Sequence, residues 1–133
     1  MFRSTPIIRW RRYNDRYLLE GSQCSTCKKL HYPKKAFCTC GSKDLKAYVF
    51  KGKGTLQTFT EITSPSEKFR ERAPFCIGIV KLEEGPQISA QIADAKLADL
   101  RIGMPLEAVF RKFYASGEEG ALHYGTKFKP MMQ

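Results

Sequence analysis

From residue 45 onward, apolar and polar residues alternate in short runs separated by Gly, Pro and charged clusters. A period of two is the pattern of a half-buried strand. It predicts strands over 45–50, 54–63, 74–82, 87–94, 104–113 and 121–128. The run 51–54 (Lys51-Gly52-Lys53-Gly54) reads as a turn, 64–73 as a polar loop, Glu83-Glu84-Gly85-Pro86 as a turn and 115–120 as an acidic turn. Residues 95–100 have room for one helical turn. Within the strands Ile88, Ala90 and Ile92 share an inward face, as do Leu106, Ala108 and Phe110, and Leu122, Tyr124 and Phe128. His123 alternates with the last set and is expected on the solvent side. Gly78 and Gly125 lie inside strands, where a missing side chain permits a sharp bend or a close approach. Five or six short strands with one brief helical insertion predict a small antiparallel barrel, and the five-stranded OB barrel suits the size. A β-sandwich ranks second, because about 85 residues is small for one.

The first twenty residues follow a different period. Trp10, Tyr13 and Tyr17 recur at i, i+3 and i+7, which predicts a short helix over 7–18 with three aromatics on one face. Arg9, Arg12 and Arg16 form a neighbouring stripe, and Gly21 is expected to stop the helix. Such a face can pack on its own domain or anchor another protein, since Trp, Tyr and Arg dominate interface energetics.

Between these parts lie four of the five cysteines, Cys24, Cys27, Cys38 and Cys40, spaced C-x2-C-x10-C-x-C. The odd total and the absence of a secretion signal at 1–6 argue against a disulfide framework. Two cysteine pairs on two turns read as a zinc ribbon over 22–43, with Leu30-His31-Tyr32-Pro33 as a strand between the pairs and Lys34-Lys35 as a basic turn. Four protein ligands leave no open position, so the metal's role would be structural. The second pair has one intervening residue, Thr39. Three readings follow: all four cysteines bind zinc, His31 replaces one thiolate, or the site is empty. The first is favoured, with His31 a strand residue beside the site. Cys76, in the apolar run 74–80, reads as a small buried hydrophobe.

Charge sharpens the division. The net charge is +10. Thirteen Lys/Arg face three acids in residues 1–53, whereas ten face ten in 54–133, so the whole excess belongs to the first part. A basic surface of this kind attracts nucleic acid, a phosphorylated cofactor or an acidic protein. At 42% hydrophobic and 27% charged the composition is that of a globular chain, with no apolar run of membrane-spanning length. The expected setting is the cytoplasm. The sequence carries no P-loop, G-x-G-x-x-G, G-x-S-x-G or H-E-x-x-H motif, and His31 and His123 stand far apart without a paired carboxylate. The residues point to a binding or scaffold protein rather than a catalyst.

Several motifs occur in an order that resembles a known family. They are Trp10-Arg11-Arg12, the run Arg16-Tyr17-Leu18-Leu19-Glu20-Gly21-Ser22-Gln23-Cys24, Tyr32-Pro33 and Cys38, then the run 73–86 from Ala73-Pro74-Phe75-Cys76 to Glu84-Gly85-Pro86. Ile102-Gly103-Met104, Val109-Phe110-Arg111-Lys112 and the run Tyr124-Gly125-Thr126-Lys127-Phe128-Lys129-Pro130 complete it. The chain looks like the acyl-CoA-associated family, formerly a domain of unknown function, that joins a rubredoxin-like zinc ribbon to an OB-fold. The resemblance implies a mostly β chain with an N-terminal helical segment at 1–21, a ribbon at 22–44 and a five-stranded OB barrel at 45–133. It is most similar to the archaeal type, which implies a non-catalytic scaffold bridging acetoacetyl-CoA thiolase and hydroxymethylglutaryl-CoA (HMG-CoA) synthase in a multienzyme complex of the mevalonate pathway of isoprenoid biosynthesis. Other relatives accompany other thiolase-like acyltransferases. On this reading Trp10, Arg11, Arg12, Tyr13 and Tyr17 are the candidate partner interface. Lys51, Lys53, Arg70 and Arg72, on turns beside barrel strands, are candidate CoA contacts. The family usually has C-x2-C where this chain has Cys38-Thr39-Cys40. The competing class is a single-stranded nucleic-acid-binding protein, since OB-folds and zinc ribbons both serve that purpose. A stand-alone CoA-dependent enzyme ranks last, with Cys76 as its only candidate nucleophile.

Overall fold

The structure is a computed structural model, and it describes residues 5–13, 17–115, 118–120 and 122–131. Arg16 of the expected basic stripe, most of the N-terminal stretch read for a secretion signal, residues 116 and 117 of the acidic turn and residue 121 of the last strand lie outside the described residues. The chain divides into two compact units, Met1–Lys51 and Gly52–Gln133.

The first unit opens with helix α1, Pro6–Arg11. Thr5 caps it by accepting the Ile8 N–H on its hydroxyl at 3.3 Å, and Pro6 sits where no backbone donor is needed. A three-stranded antiparallel sheet follows, with β1 (Glu20–Cys24) between β2 (Leu30–His31) and β3 (Leu45–Val49). Two expectations change here. Gly21 does not end a helix; it lies buried within β1, and its bare Cα lets the His31 carbonyl and the Phe50 ring come close. The strand expected to lead into the barrel, β3, instead pairs with β1 along Glu20↔Val49 to Cys24↔Leu45. Alternation revealed the strand, but only its partner could reveal its sheet. Phe50 closes the unit, stacking edge-on with Tyr32 and Tyr48.

The second unit is a closed five-stranded barrel in the order β4-β5-β6-β8-β7, comprising β4 (Lys53–Ile62), β5 (Phe75–Leu82), β6 (Gln87–Ile92), β7 (Pro105–Ala115) and β8 (Leu122–Pro130). Four of its five seams are antiparallel; β6 and β8 close it in parallel at Ile92↔Phe128. The core is Leu56, Val80, Leu82, Leu106 and Phe128, with Ile88 and Ile92. The expected helical turn is a 3-10 turn at Leu97–Asp99, and the loop expected at 64–73 contains a second at Glu67–Arg72. The latter's charged sequence concealed one anchor, Phe69, which meets the rings of Phe75 and Tyr114.

The β7–β8 hairpin corrects the inward faces. Phe110, Leu122 and Tyr124 are exposed, Phe110 at 51%, and Phe110 stacks on Tyr124. His123, expected in solvent, is buried at 5% exposure and lies flat against Tyr114, ring centres 4.0 Å apart. The register shifts between Lys112 and Tyr114, and this extra residue lets Phe113 cover Gly125. Alternation defines two faces but cannot say which is covered once both have neighbours.

Gly78 shows the close approach expected of it. A Cβ there would lie 2.7 Å from Leu56 Cδ1 and 2.8 Å from the Thr58 carbonyl oxygen. We expect Gly78→Ala to destabilise the barrel by about 1–3 kcal/mol through overpacking against backbone. Urea unfolding followed by the barrel's own signals checks this, and an unchanged midpoint would mean that the β4–β5 seam can spread.

Candidate metal centre

Two turns build the cysteine cluster. In the first, the Lys28 N–H returns to the Cys24 carbonyl at 3.0 Å, with Lys28 at φ 63°, which folds Cys27 back over Cys24. In the second, the Gly41 N–H returns to the Cys38 carbonyl at 3.0 Å, and Gly41 takes φ 87°, a conformation that glycine adopts without a Cβ penalty. The Cys38 N–H reaches the Ser42 carbonyl and the Ser25 N–H the Asp44 carbonyl, which fastens the turns to the approach of β3.

The four Sγ atoms lie within 4.8 Å of one another. Cys24 and Cys40 are 3.6 Å apart, Cys27 and Cys38 3.4 Å. Four thiolates at ~2.3 Å from a zinc ion would stand about 3.8 Å apart, so the cluster fits a tetrahedral metal. The single residue between Cys38 and Cys40 does not keep Cys40 out, because the turn at Gly41 supplies the reversal. His31 is not a member of the cluster. From β2 its Nε2 stands 3.3 Å from Cys38 Sγ, so the ring can donate to that thiolate from outside. This is the arrangement that orients a ligand and tunes its basicity.

The surroundings of Cys38 and Cys27 pull their thiols in opposite directions. The Cys40 backbone N–H first and the His31 ring next draw the Cys38 thiol down to about 5. For Cys27 the Lys29 backbone N–H favours ionisation, but Cys38, burial and the other two thiols outweigh it and push the group up to about 12. The two sulfurs stand 3.4 Å apart, close enough to share a hydrogen bond. A bound cation would favour the thiolate form of its ligands.

The remaining candidates are dispersed. Trp10 is 79% exposed and Tyr13 is also exposed; they face each other at 6.2 Å, and Tyr13 meets Tyr17 at 5.0 Å. Arg11 and Arg12 at the end of α1 are exposed. Of the four basic residues expected on turns, Lys51 belongs to the first unit, and Lys53 is instead the first residue of β4. Lys53 stands opposite Glu107, whereas Arg72 donates to the Lys112 carbonyl at 2.7 Å. Five residue steps along β7 separate those points, roughly 17 Å of strand. Arg70 shares the 3-10 turn with Arg72. Cys76 is buried in β5; burial, then Glu61, raises its thiol above the usual range. That is the opposite of what a nucleophilic thiolate requires. Among the described residues, no helix is long and apolar enough to cross a membrane.

Residues 15–46 match the family described as the ChsH2 rubredoxin-like zinc ribbon domain, and residues 48–111 match the ChsH2 C-terminal OB-fold domain. Proteins named DUF35 domain-containing scaffold protein are similar over almost the full length. That of Methanocaldococcus jannaschii is 37% identical over 98% of this chain and 95% of its own. That of Methanothermobacter thermautotrophicus is 39% identical over 95% and 97%, and that of Pyrococcus furiosus 35% over 93% and 91%. A solved structure described as an Ltp2-ChsH2(DUF35) aldolase superposes with a TM-score of 0.72, covering 98% of this chain and 96% of that one; at 22% identity the likeness is one of fold. A rubredoxin-like ribbon, a closed OB barrel and relatives this similar along nearly the whole sequence place the chain in the DUF35 family of ChsH2-type zinc-ribbon and OB-fold proteins.

Proposed function

We propose that this chain is a non-catalytic scaffold subunit that holds acetoacetyl-CoA thiolase beside HMG-CoA synthase in the cytoplasm. The observation that carries the reading is that relatives 35–39% identical over at least nine-tenths of the chain are named scaffold proteins. The condensation that forms acetoacetyl-CoA is uphill, so passing its product directly to a favourable second condensation draws it forward. Zinc held by Cys24, Cys27, Cys38 and Cys40 would crosslink the two turns, a purely structural service since no coordination position is left for substrate. The exposed Trp10 and Tyr13, with the half-buried Tyr17 beside them and Arg11 and Arg12 next to the row, support a partner surface on the first unit. Arg70 and Arg72, with Lys51 and Lys53, are the proposed CoA contacts. The raised thiol of Cys76 agrees with a subunit that leaves the chemistry to its partners.

The test is native co-purification with tagged chain from the source cells. We expect a thiolase and an HMG-CoA synthase in fixed ratio, and we expect the Arg11→Glu/Arg12→Glu variant to lose at least one of them, a weakening of about tenfold or more. Unchanged co-elution of that variant removes the interface assignment. Recovery of a different thiolase-like acyltransferase, or of nucleic acid, would replace the named partners with the corresponding alternative.

A further inference from the structure

Lys127 is an anomalous cation. It lies in β8 at 6% exposure, with its ammonium 5.2 Å from the centre of the Phe113 ring. Among the described residues its ammonium forms no ion pair with a carboxylate and donates no hydrogen bond. A charge withdrawn from water without a counter-ion is unfavourable. Lys127 lines a cavity of about 310 Å³ together with Arg72, Arg111, Asp94, Gln91 and Phe69.

Both arginines are held in place. Arg72 donates to the Lys112 carbonyl at 2.7 Å, and Arg111 pairs with Asp94 at 3.1 Å while also reaching the Phe110 carbonyl at 3.3 Å. Three cations therefore border one cavity with one carboxylate, an excess of two positive charges. Burial, then Arg72 and Arg111, press the Lys127 ammonium below the usual lysine range, with Asp94 opposing. The cavity lining thus carries a net positive charge. We propose that this cavity binds a phosphate dianion, either free phosphate or the terminal group of a phosphate monoester. Two negative charges match the excess, planar arginines suit phosphate oxygens, and the Phe69 wall can accept the carbon end of an ester. This inference concerns the barrel unit; it shares Arg72 with the proposed CoA contacts but does not depend on which enzymes the chain bridges.

Titration of the full chain at low ionic strength, followed by amide NMR, tests it. The probes are inorganic phosphate and adenosine monophosphate, with sodium chloride at matched ionic strength as the control. Both phosphates are expected to shift the amides around 91–94, 111 and 127 at millimolar concentration, and chloride is not. Tighter binding of the nucleotide identifies an ester terminus as the ligand; equal binding identifies free phosphate. Lys127→Met is expected to weaken binding roughly tenfold or more, with a melting temperature equal to or above that of the parent, because it removes an unpaired buried charge. Should that variant fold poorly, Arg72→Gln at an exposed position is expected to weaken binding several-fold. No phosphate-specific shift, or parent-like affinity in the folded variants, overturns the proposal.

Discussion

Stripping zinc from the chain, or replacing Cys38 with Ser, is expected to unfold the ribbon unit and leave the barrel folded. Among the described residues of the first unit, the large apolar groups that are buried are Leu19 and Phe50, alongside Glu20, Ser22, His31, Cys24 and Cys38. So little apolar burial cannot offset the ordering of some fifty residues, at about 1–2 kcal/mol of backbone entropy for each. Metal binding in small zinc domains supplies about 10–16 kcal/mol, enough to decide whether the fold exists. The check is amide NMR before and after chelation, with the metal measured independently. Signals of residues 20–49 should collapse to the dispersion of an unfolded chain while those of 53–130 persist. Retained ribbon dispersion in demonstrably metal-free protein would refute the structural role of the ion. His31→Ala should be gentler, lowering metal affinity by about 10–100-fold, because it removes the hydrogen bond to Cys38 and keeps every ligand.

The second large effect is expected at Phe128. This ring is fully buried, and its backbone makes the β6–β8 closure: it pairs with Ile92, and its carbonyl accepts the Ala93 N–H at 2.7 Å. Phe128→Ala should destabilise the barrel by about 3–5 kcal/mol, combining lost burial with the cavity left behind. For a unit of this size that lowers the melting temperature by at least about 12 °C. Phe110→Ala is the matched control. It removes the same side chain from the exposed face of the hairpin, and its expected cost is below about 1 kcal/mol. Comparable losses in the two variants would mean that the core has been placed on the wrong face of β7 and β8.

Much of this architecture was legible from local features. The cysteine spacing marked two turns and a metal cluster, because a tetrahedral ion imposes short-range spacing on its ligands. Strand alternation marked every barrel strand to within a few residues, because each strand must present one face to the core. Motif order carried the family. Less legible was anything that depended on a distant partner. His31 stood seven residues from Cys38, which hinted at proximity, but only the β1–β2 register turned its Nε2 toward the sulfur. Nothing local distinguished Lys127 from a solvated lysine. The 3-10 turn at 67–72 looked like a charged loop because one aromatic, Phe69, anchors it.

By itself, then, the sequence determined the period of each segment, the metal-binding chemistry of four cysteines and the concentration of positive charge in the first part. Each of these is a property of neighbouring residues. Tertiary structure alone decided that β3 joins the ribbon sheet, that the hairpin turns His123 in and Tyr124 out, and that Arg72, Arg111 and Lys127 border one cavity. These outcomes depend on which strands pair and where a bulge shifts the register. Moving a register by one residue exchanges the two faces of a strand without changing its alternation.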